Sequence, residues 1–583
     1  MKRALSFIIA AVLILTSFQL ISFASYEEAE VKVEGKITDY PIIMLPGYSG
    51  CRLYYGDDPE TGVCAWGGVS LDELGPNLLN RIAEIALGLG IMKFDNADYV
   101  ASILAQELKD TWPMMGCNPD GTSTYELHPY YTTPETTNSQ WLSDTDNDFC
   151  RHDREIASCF DDYVGKENLF NFNIDWRMGV ETLASQLNDY VKAVKKYTGK
   201  DKVNIYGISH GGQIGAAYLA LYGSENDVDN VVLSSPAIGG SNLASDILLQ
   251  KVDADEQTII EMIEQVTYTE ENYEWLVKAN ELGFIDDVIN AMVPYVADSM
   301  GYWPSIWDLT PVDEYEECKA KFLNKPENEP LVKQSDKFHY DILPLIKERL
   351  PELKNKGVDI SIITGSGYRV ASGAKLNSDA IIPVASATGA TAASFGERFA
   401  DDYTQINSCN GNYKLSPDMT IDASTCYLPE NTWFSFGNFH AWTYFSDVTK
   451  QLNVELLLTD NFKNVNDNPL YPQFLQSDNE SKSFVYNFNN ATSGFITADS
   501  DTLEIKNVMS DSDVRILGVY IPSSKIRFDT GVIGTKIKPG ETAQIKFSGD
   551  FSSLDKKCVD VVVIYSMNNI TPIDYKTSGF TVL

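Results

Sequence analysis

Five residues, Gly207-Ile208-Ser209-His210-Gly211, fit the pattern G-x-S-x-G. A serine hydroxyl attacks an acyl carbon effectively only when a base takes its proton and a third group orients that base. The surrounding stretch "VNIYGISHGGQIGAAYLALYG" (Val203 to Gly223) supplies a setting for such chemistry. Val203 to Tyr206 is an apolar run of strand length, and from Gln213 small and apolar residues recur at helical spacing. A strand turning this sharply into a helix strains the backbone at the serine. Glycine on both sides removes the Cβ atoms that would clash. Five letters alone are a weak signal, and an ordinary Gly-rich turn is the bland alternative. Set between a strand and a helix, they predict Ser209 as a nucleophile.

The partners of such a serine follow in the chain order serine, acid, histidine. The sequence holds five histidines: His128, His152, His210, His339 and His440. His128 and His152 precede Ser209, His210 is aimed elsewhere by the turn, and His339 precedes any good acid. His440, in "WFSFGNFHAWTYF", remains as the expected base, although its residue type alone suits a core histidine in an aromatic cluster. The acid should follow a strand. "VDISIITGSG" (Val358 to Gly367) is such a strand, and "LNSDAIIPVASATGA" places Asp379 beyond it. Asp401, Asp402, Asp418 and Asp422 are the competing carboxylates in polar loops, and Asp359 sits at the wrong end of the strand. Asp379 is the expected orienter of His440. Two backbone N–H groups should complete the site as an oxyanion hole: that of His210, and that of Tyr48 after the buried run Ile42 to Leu45 and the turn Pro46-Gly47.

"PIIMLPGYSGCRL", "CAWGG", "ENLFNFNIDWRMG", "YGISHGGQIGAAYL", "YWPSIWDLTP" and "SDAIIPVASA" stand in the same order as the motifs of lecithin:cholesterol acyltransferase-like lipases. The chain resembles that family from about Pro41 to His440. The acid motif departs from the family's usual Gly-Asp-Gly, reading Ser378-Asp379-Ala380 here. The resemblance implies an α/β-hydrolase fold, acyl transfer from a lipid ester to water or an alcohol, and Ser209, Asp379 and His440 as the triad.

The elements around these residues divide the chain. "MKRALSFIIAAVLILTSFQLISFAS" has a basic start, an apolar stretch and a small-residue cleavage site after Ala24, so residues 1–24 read as a secretory signal. An uncleaved anchor is the alternative, since the apolar stretch is nearly long enough to span a bilayer. Residues 36–458 read as an α/β catalytic domain, with a lid insertion at about 51–164 and a helical cap at about 241–356. In that cap Met292, Tyr295, Tyr302, Trp303 and Trp307 line either a lipid groove or the cap's own core. A polar, Asn-rich linker at 459–482 leads to regularly spaced strands over 483–583, the pattern of an immunoglobulin-like β-sandwich.

Charge excludes some partners. The 45 Lys and Arg face 82 Asp and Glu, a formal net charge of −37, which repels nucleic acid and anionic membranes. The expected partner is a lipid ester, with a membrane or lipid-aggregate surface reached through apolar contact; oligomeric state is not legible. Nine cysteines suit an oxidising compartment, with Cys51–Cys64 and Cys409–Cys426 placed to close local loops. No metal or cofactor is expected. "DTDNDFCRHDRE" spaces carboxylates like a calcium loop but has Phe149 where the sharp turn demands glycine. The function expected is that of an exported serine hydrolase or acyltransferase on lipid esters. The alternatives are an adhesion protein using the hydrolase domain as scaffold, or an esterase or peptidase on a non-lipid substrate.

Overall fold

The computed structural model describes residues 31–57, 62–66, 102, 114–142, 151–223, 226–253, 284–400, 402–409, 414–440, 447–468, 470–476, 484–489, 495–497, 500–508, 512–521, 526–529, 531, 534–549, 558–567 and 574–582. The secretory signal, residues 67–101 of the lid insertion and much of the cap's first half lie outside these residues, as do the carboxylates of the calcium-like loop before residue 150. No described helix is long and apolar enough to cross a membrane.

Strand β1 (Ile42–Leu45) runs into a small three-stranded sheet made of β2 (Leu53–Tyr55), β3 (Val63–Trp66) and β4 (Leu127–His128). The chain returns as β5 (Leu169–Asn171), β6 (Val203–Ile208), β7 (Val228–Ser234) and β8 (Asp359–Ser366). After the short pair β9 (Thr391–Ala392) and β10 (Ile421–Asp422) come β11 (Thr432–Phe436) and β12 (Phe474–Gln476). Seven of these form one sheet in the order β12-β11-β8-β7-β6-β1-β5, with each neighbouring pair parallel. Strands of a parallel sheet are covered on both faces and therefore read as continuous apolar runs. β1 and β6 are buried at every position.

Register assigns the two faces. Met44, Tyr206 and Val232 lie side by side, as do Leu45, Gly207 and Leu233 one residue on. The Tyr206 ring meets Phe160, and its hydroxyl lies 3.1 Å from Asn453 Oδ1, so helices Arg151–Val164 and Asp447–Leu458 cover the first face. Gly215 of helix His210–Tyr222 approaches Leu45 and Leu233 on the other, flanked by helices Val180–Thr198 and Leu343–Asn355.

The stretch expected as a linker is corrected in part: it contributes β12, the edge strand of this sheet. Tyr471 and Leu475 are buried in the main core, and the Tyr471 carbonyl accepts the Trp433 indole N–H at 3.1 Å. Apolar residues hidden in an Asn-rich segment account for this.

Beyond it lie β13 (Phe484–Phe488), β14 (Phe495–Ile496), β15 (Thr502–Asn507), β16 (Val514–Tyr520), β17 (Arg527–Phe528), β18 (Lys536–Ile537), β19 (Thr542–Ser548), β20 (Cys558–Met567) and β21 (Asp574–Val582). They form a four-stranded sheet, β13-β15-β19-β17, and a five-stranded one, β14-β21-β20-β16-β18. All pairs are antiparallel except β14 with β21. Alternate residues of both sheets, Leu503, Ile505 and Ile545 with Val514, Ile516, Val561 and Val563, share one buried cluster.

Candidate active site

In a parallel sheet every strand delivers its carboxyl end to the same edge, so loops far apart in sequence converge there. β1, β6, β8 and β11 lead respectively to Tyr48, Ser209, Asp379 and His440.

Ser209 joins β6 directly to helix His210–Tyr222, with φ 53° and ψ −117°. This backbone is costly for a residue bearing a Cβ and persists only where its surroundings enforce it. Here the Ser209 N–H donates to the Ser234 carbonyl, and the Ser209 carbonyl accepts from Gln213 and Ala237. A Cβ on Gly211 would overlap the carbonyl oxygens of Leu45 and Pro46, and one on Gly212 would lie 2.6 Å from Pro236 Cβ. The crowded glycines are thus explained: the helix start is pressed against the ends of β1 and β7. Ser209 is buried and its Oγ makes no hydrogen bond to another described group.

Asp379 is fully buried. Its Oδ1 accepts the backbone N–H groups of Ile381 and Ile382 at 3.0 and 2.7 Å, and its Oδ2 lies 2.8 Å from His440 Nδ1. The His440 N–H also donates to the Asp379 carbonyl at 2.8 Å, so the two loops are joined through backbone and side chain. That arrangement holds Nδ1 as the proton-bearing nitrogen and leaves Nε2 as the basic one. Ala380, where the resembled motif has glycine, adopts φ 77°. Ser378 Oγ supports it by accepting the Ala380 N–H at 3.0 Å while donating to the Tyr368 carbonyl.

The competing groups have other partners. Asp422 is buried and accepts from Tyr403, Ile406 and Ser424, Asp418 caps the turn at Ser416 and Thr420, and Asp359 pairs with Lys354 and Lys463. Asp402 is exposed, and Asp401 lies outside the described residues. The His339 ring packs against Tyr315 at 4.0 Å, tilted by 31°, with Nε2 3.0 Å from the Trp307 carbonyl.

Tyr48 is buried, its ring edge-on to Trp176 at 4.8 Å and to His210 at 5.5 Å. Burial raises its phenol far above the usual range. The Trp66 indole donates to the Ser49 carbonyl and the Trp176 indole to that of Cys51, tying down the loop after β1. Burial pushes the His210 imidazole down to about 4, so the ring is neutral beside Ser209. Arg177 is fully buried in a two-point pair with Asp175 and donates to Met115 and Ser123.

Gln213 and Ser305 lie within the motifs around the site, and Tyr368, one residue past "VDISIITGSG", stacks on Phe439, one residue before His440, at 4.0 Å. An aromatic on each of two distant loops is not a pairing that spacing reveals. Met292 and Trp307 are fully buried and Trp303 nearly so, which makes them core, whereas Tyr295 is exposed.

The expected loop disulfides are corrected: none is formed among the described cysteines. β2 and β3 pair with Cys64 opposite Tyr54, not Cys51, and the Cys51 thiol points to Asn173 while the Cys64 thiol points to the Trp66 carbonyl. Cys426 is packed with Val384, Ala423 and Phe434, and burial pushes its thiol up to about 12. Among the described residues no group of three metal-binding side chains occurs.

The family model of the alpha/beta hydrolase fold matches residues 147–265, a span that contains Ser209. Together with the parallel sheet, this gives the chain an α/β-hydrolase fold. Among solved structures, the mature Bacillus licheniformis lipase BlEst2 is 9% identical, with TM-score 0.25, over 56% of this chain and 90% of its own. An esterase from Exiguobacterium antarcticum, EaEST, is 13% identical, with TM-score 0.18, over 36% of this chain and 68% of its own. Likenesses this distant decide nothing about substrate. No curated protein matches the chain.

Proposed function

We propose that this chain is an exported serine hydrolase of the lecithin:cholesterol acyltransferase-like type, cleaving phospholipid or acylglycerol esters through an acyl-enzyme on Ser209. The observation that carries the reading is the bond of 2.8 Å between His440 Nδ1 and Asp379 Oδ2, at the sheet edge where Ser209 occupies its strained turn. In this reading His440 Nε2 takes the Ser209 proton as Oγ attacks the ester carbonyl. The N–H groups of Tyr48 and His210 hold the developing oxyanion. His440 returns the proton to the departing alcohol, and water or an acceptor alcohol then releases the acyl group by the reverse steps. Asp379 keeps the imidazole in the working tautomer. Lipid as substrate rests on the motif resemblance, and export on residues 1–24 with cleavage after Ala24. The C-terminal strands are read as an immunoglobulin-like sandwich that holds the enzyme at a lipid surface.

Ser209→Ala should abolish both fluorophosphonate labelling and ester turnover while leaving the melting temperature within a few degrees. Full labelling of that variant sinks the reading. A panel of acyl esters, with and without an alcohol acceptor, then separates lipid from non-lipid substrates and hydrolysis from transfer.

A further inference from the structure

The motif "YWPSIWDLTP" has no part in the triad, yet it lies at the centre of a connected set of contacts. The Ser305 Oγ is 3.2 Å from the Tyr48 hydroxyl. On the other side, the Asp308 carbonyl accepts Gln213 Nε2 at 2.8 Å, and Gln213 Oε1 is 3.0 Å from His210 Nδ1. Because the Gln213 amide spends its N–H on a carbonyl, its oxygen faces the imidazole, and His210 Nδ1 carries the proton. The circuit closes where the His210 and Tyr48 rings meet edge to face. Every member is buried.

The segment is itself anchored at several points. The Ser305 N–H donates to the Arg177 carbonyl at 3.0 Å, the Trp303 indole to Met115 at 2.8 Å and the Trp307 indole to Gly301 at 2.9 Å. His339 holds the Trp307 carbonyl.

A backbone N–H can be aimed only through the residue that carries it. An oxyanion donor is useful only when about 2.7–3.1 Å from the developing charge. Tyr48 and His210 are the two residues whose N–H groups serve the oxyanion in the function proposed above; the Tyr48 side chain ends on Ser305, and that of His210 reaches Asp308 of the same segment through Gln213. We propose that this segment is the buttress of the oxyanion hole, with Ser305 and Gln213 as positioning residues: one sets the Tyr48 N–H, the other that of His210. The inference rests on the assignment of Ser209 as nucleophile.

The test uses the full chain carrying Tyr48→Phe, Ser305→Ala, Ser305→Thr or Gln213→Met. Each is measured for kcat and KM on a soluble short-chain ester, and for inhibition by an alkyl boronic acid, which forms a tetrahedral adduct on the serine. Loss of a buttress bond should lower kcat on the order of ten- to a hundred-fold, with KM within about two-fold, since small misplacements act on the transition state. Boronate affinity should fall by a similar factor. Ser305→Thr, which keeps the hydroxyl, should restore both values. Tyr48→Phe with Ser305→Ala should be no worse than the weaker single variant, because both remove one bond.

Unchanged kcat in Tyr48→Phe and Ser305→Ala overturns the proposal, as does a kcat loss with undiminished boronate affinity. Should Gln213→Met fail to fold, Tyr48→Phe removes a single oxygen and decides alone. Wild-type protein that is not labelled at Ser209 by a fluorophosphonate overturns the functional reading and this inference with it. Labelled wild type with fully active variants overturns the buttress only.

Discussion

The seven-stranded sheet and the C-terminal sheets bury their strands in different ways. β6 is buried along its whole length, whereas β15 and β19 alternate between less and more exposed positions, with Ile545 the one buried residue of β19. Parallel strands with helices on both faces gather their carboxyl ends at one edge, and that edge collects Tyr48, Ser209, Asp379 and His440. Antiparallel strands send successive ends to opposite edges, so nothing comparable is gathered. The contrast extends to strain and charge. Among the described residues, seven non-glycine residues have positive φ, and none of them lies beyond Met419. The fully buried carboxylate Asp379 belongs to the first region, while the described buried polar residues of the second, such as Asn487, Thr502 and Asn507, are uncharged. Among the described residues, the positive-φ non-glycine residues and the buried charges all fall in the region that carries the proposed site, and the other region does without them.

The largest effect that tests this contrast is expected at the acid. In Asp379→Asn the amide oxygen can still accept the Ile381 and Ile382 N–H groups, but the NH₂ then faces His440 Nδ1 and imposes the wrong tautomer. Turnover should fall by up to ~10⁴ with little loss of stability. A comparable loss in Asp422→Asn, with Asp379→Asn fully active, would move the acid elsewhere.

Glycine substitution probes the packing difference. Gly211→Ala drives a Cβ into the carbonyls of Leu45 and Pro46, and should cost about 3 kcal/mol or more together with the activity. In the C-terminal sheet, a Cβ on Gly518 would meet Ile564 at 3.5 Å, an ordinary contact, so Gly518→Ala should change stability by less than about 1 kcal/mol. Denaturant melts of both variants check this, and equal losses would erase the distinction.

Truncation asks whether the second region is dispensable. A chain ending at Gln476 keeps all seven strands and should retain turnover of a soluble short-chain ester. One ending at Thr459 loses β12 and the carbonyl held by Trp433, and should lose that activity. Both lose Lys506, which sits 3.8 Å from the buried Glu455 carboxylate and over the Tyr471 ring. Loss on lipid aggregates alone, in the chain ending at Gln476, supports a targeting role; parallel loss on both substrates makes the C-terminal region a structural cover.

The smallest effect is expected at Ala380. A left-handed conformation costs an L-residue roughly 1–2 kcal/mol, partly offset for glycine by its greater freedom when unfolded. Ala380→Gly should therefore stabilise the protein by about 1 kcal/mol or less without changing turnover, as measured by melting temperature and rate. Destabilisation would mean that the Ala380 methyl contributes more packing than strain.

What sequence determined here is local or ordered along the chain. Apolar runs bounded by turn residues mark β1, β6 and β8, because a strand covered on both faces tolerates few polar side chains. The glycines around Ser209 mark a turn that larger side chains would obstruct, and chain order singles out His440 and Asp379. The C-terminal strands are legible through their alternation and turns. Tertiary structure alone decided the rest. β12 is hidden by its polar neighbours, since an edge strand of three residues carries almost no periodic signal. The unformed Cys51–Cys64 disulfide depends on strand register, which spacing between cysteines does not encode. The junction of Tyr48, Ser305, Asp308, Gln213 and His210 spans more than two hundred residues of chain. Such contacts leave no local pattern, because their cost in loop entropy is met only when the whole sheet has assembled.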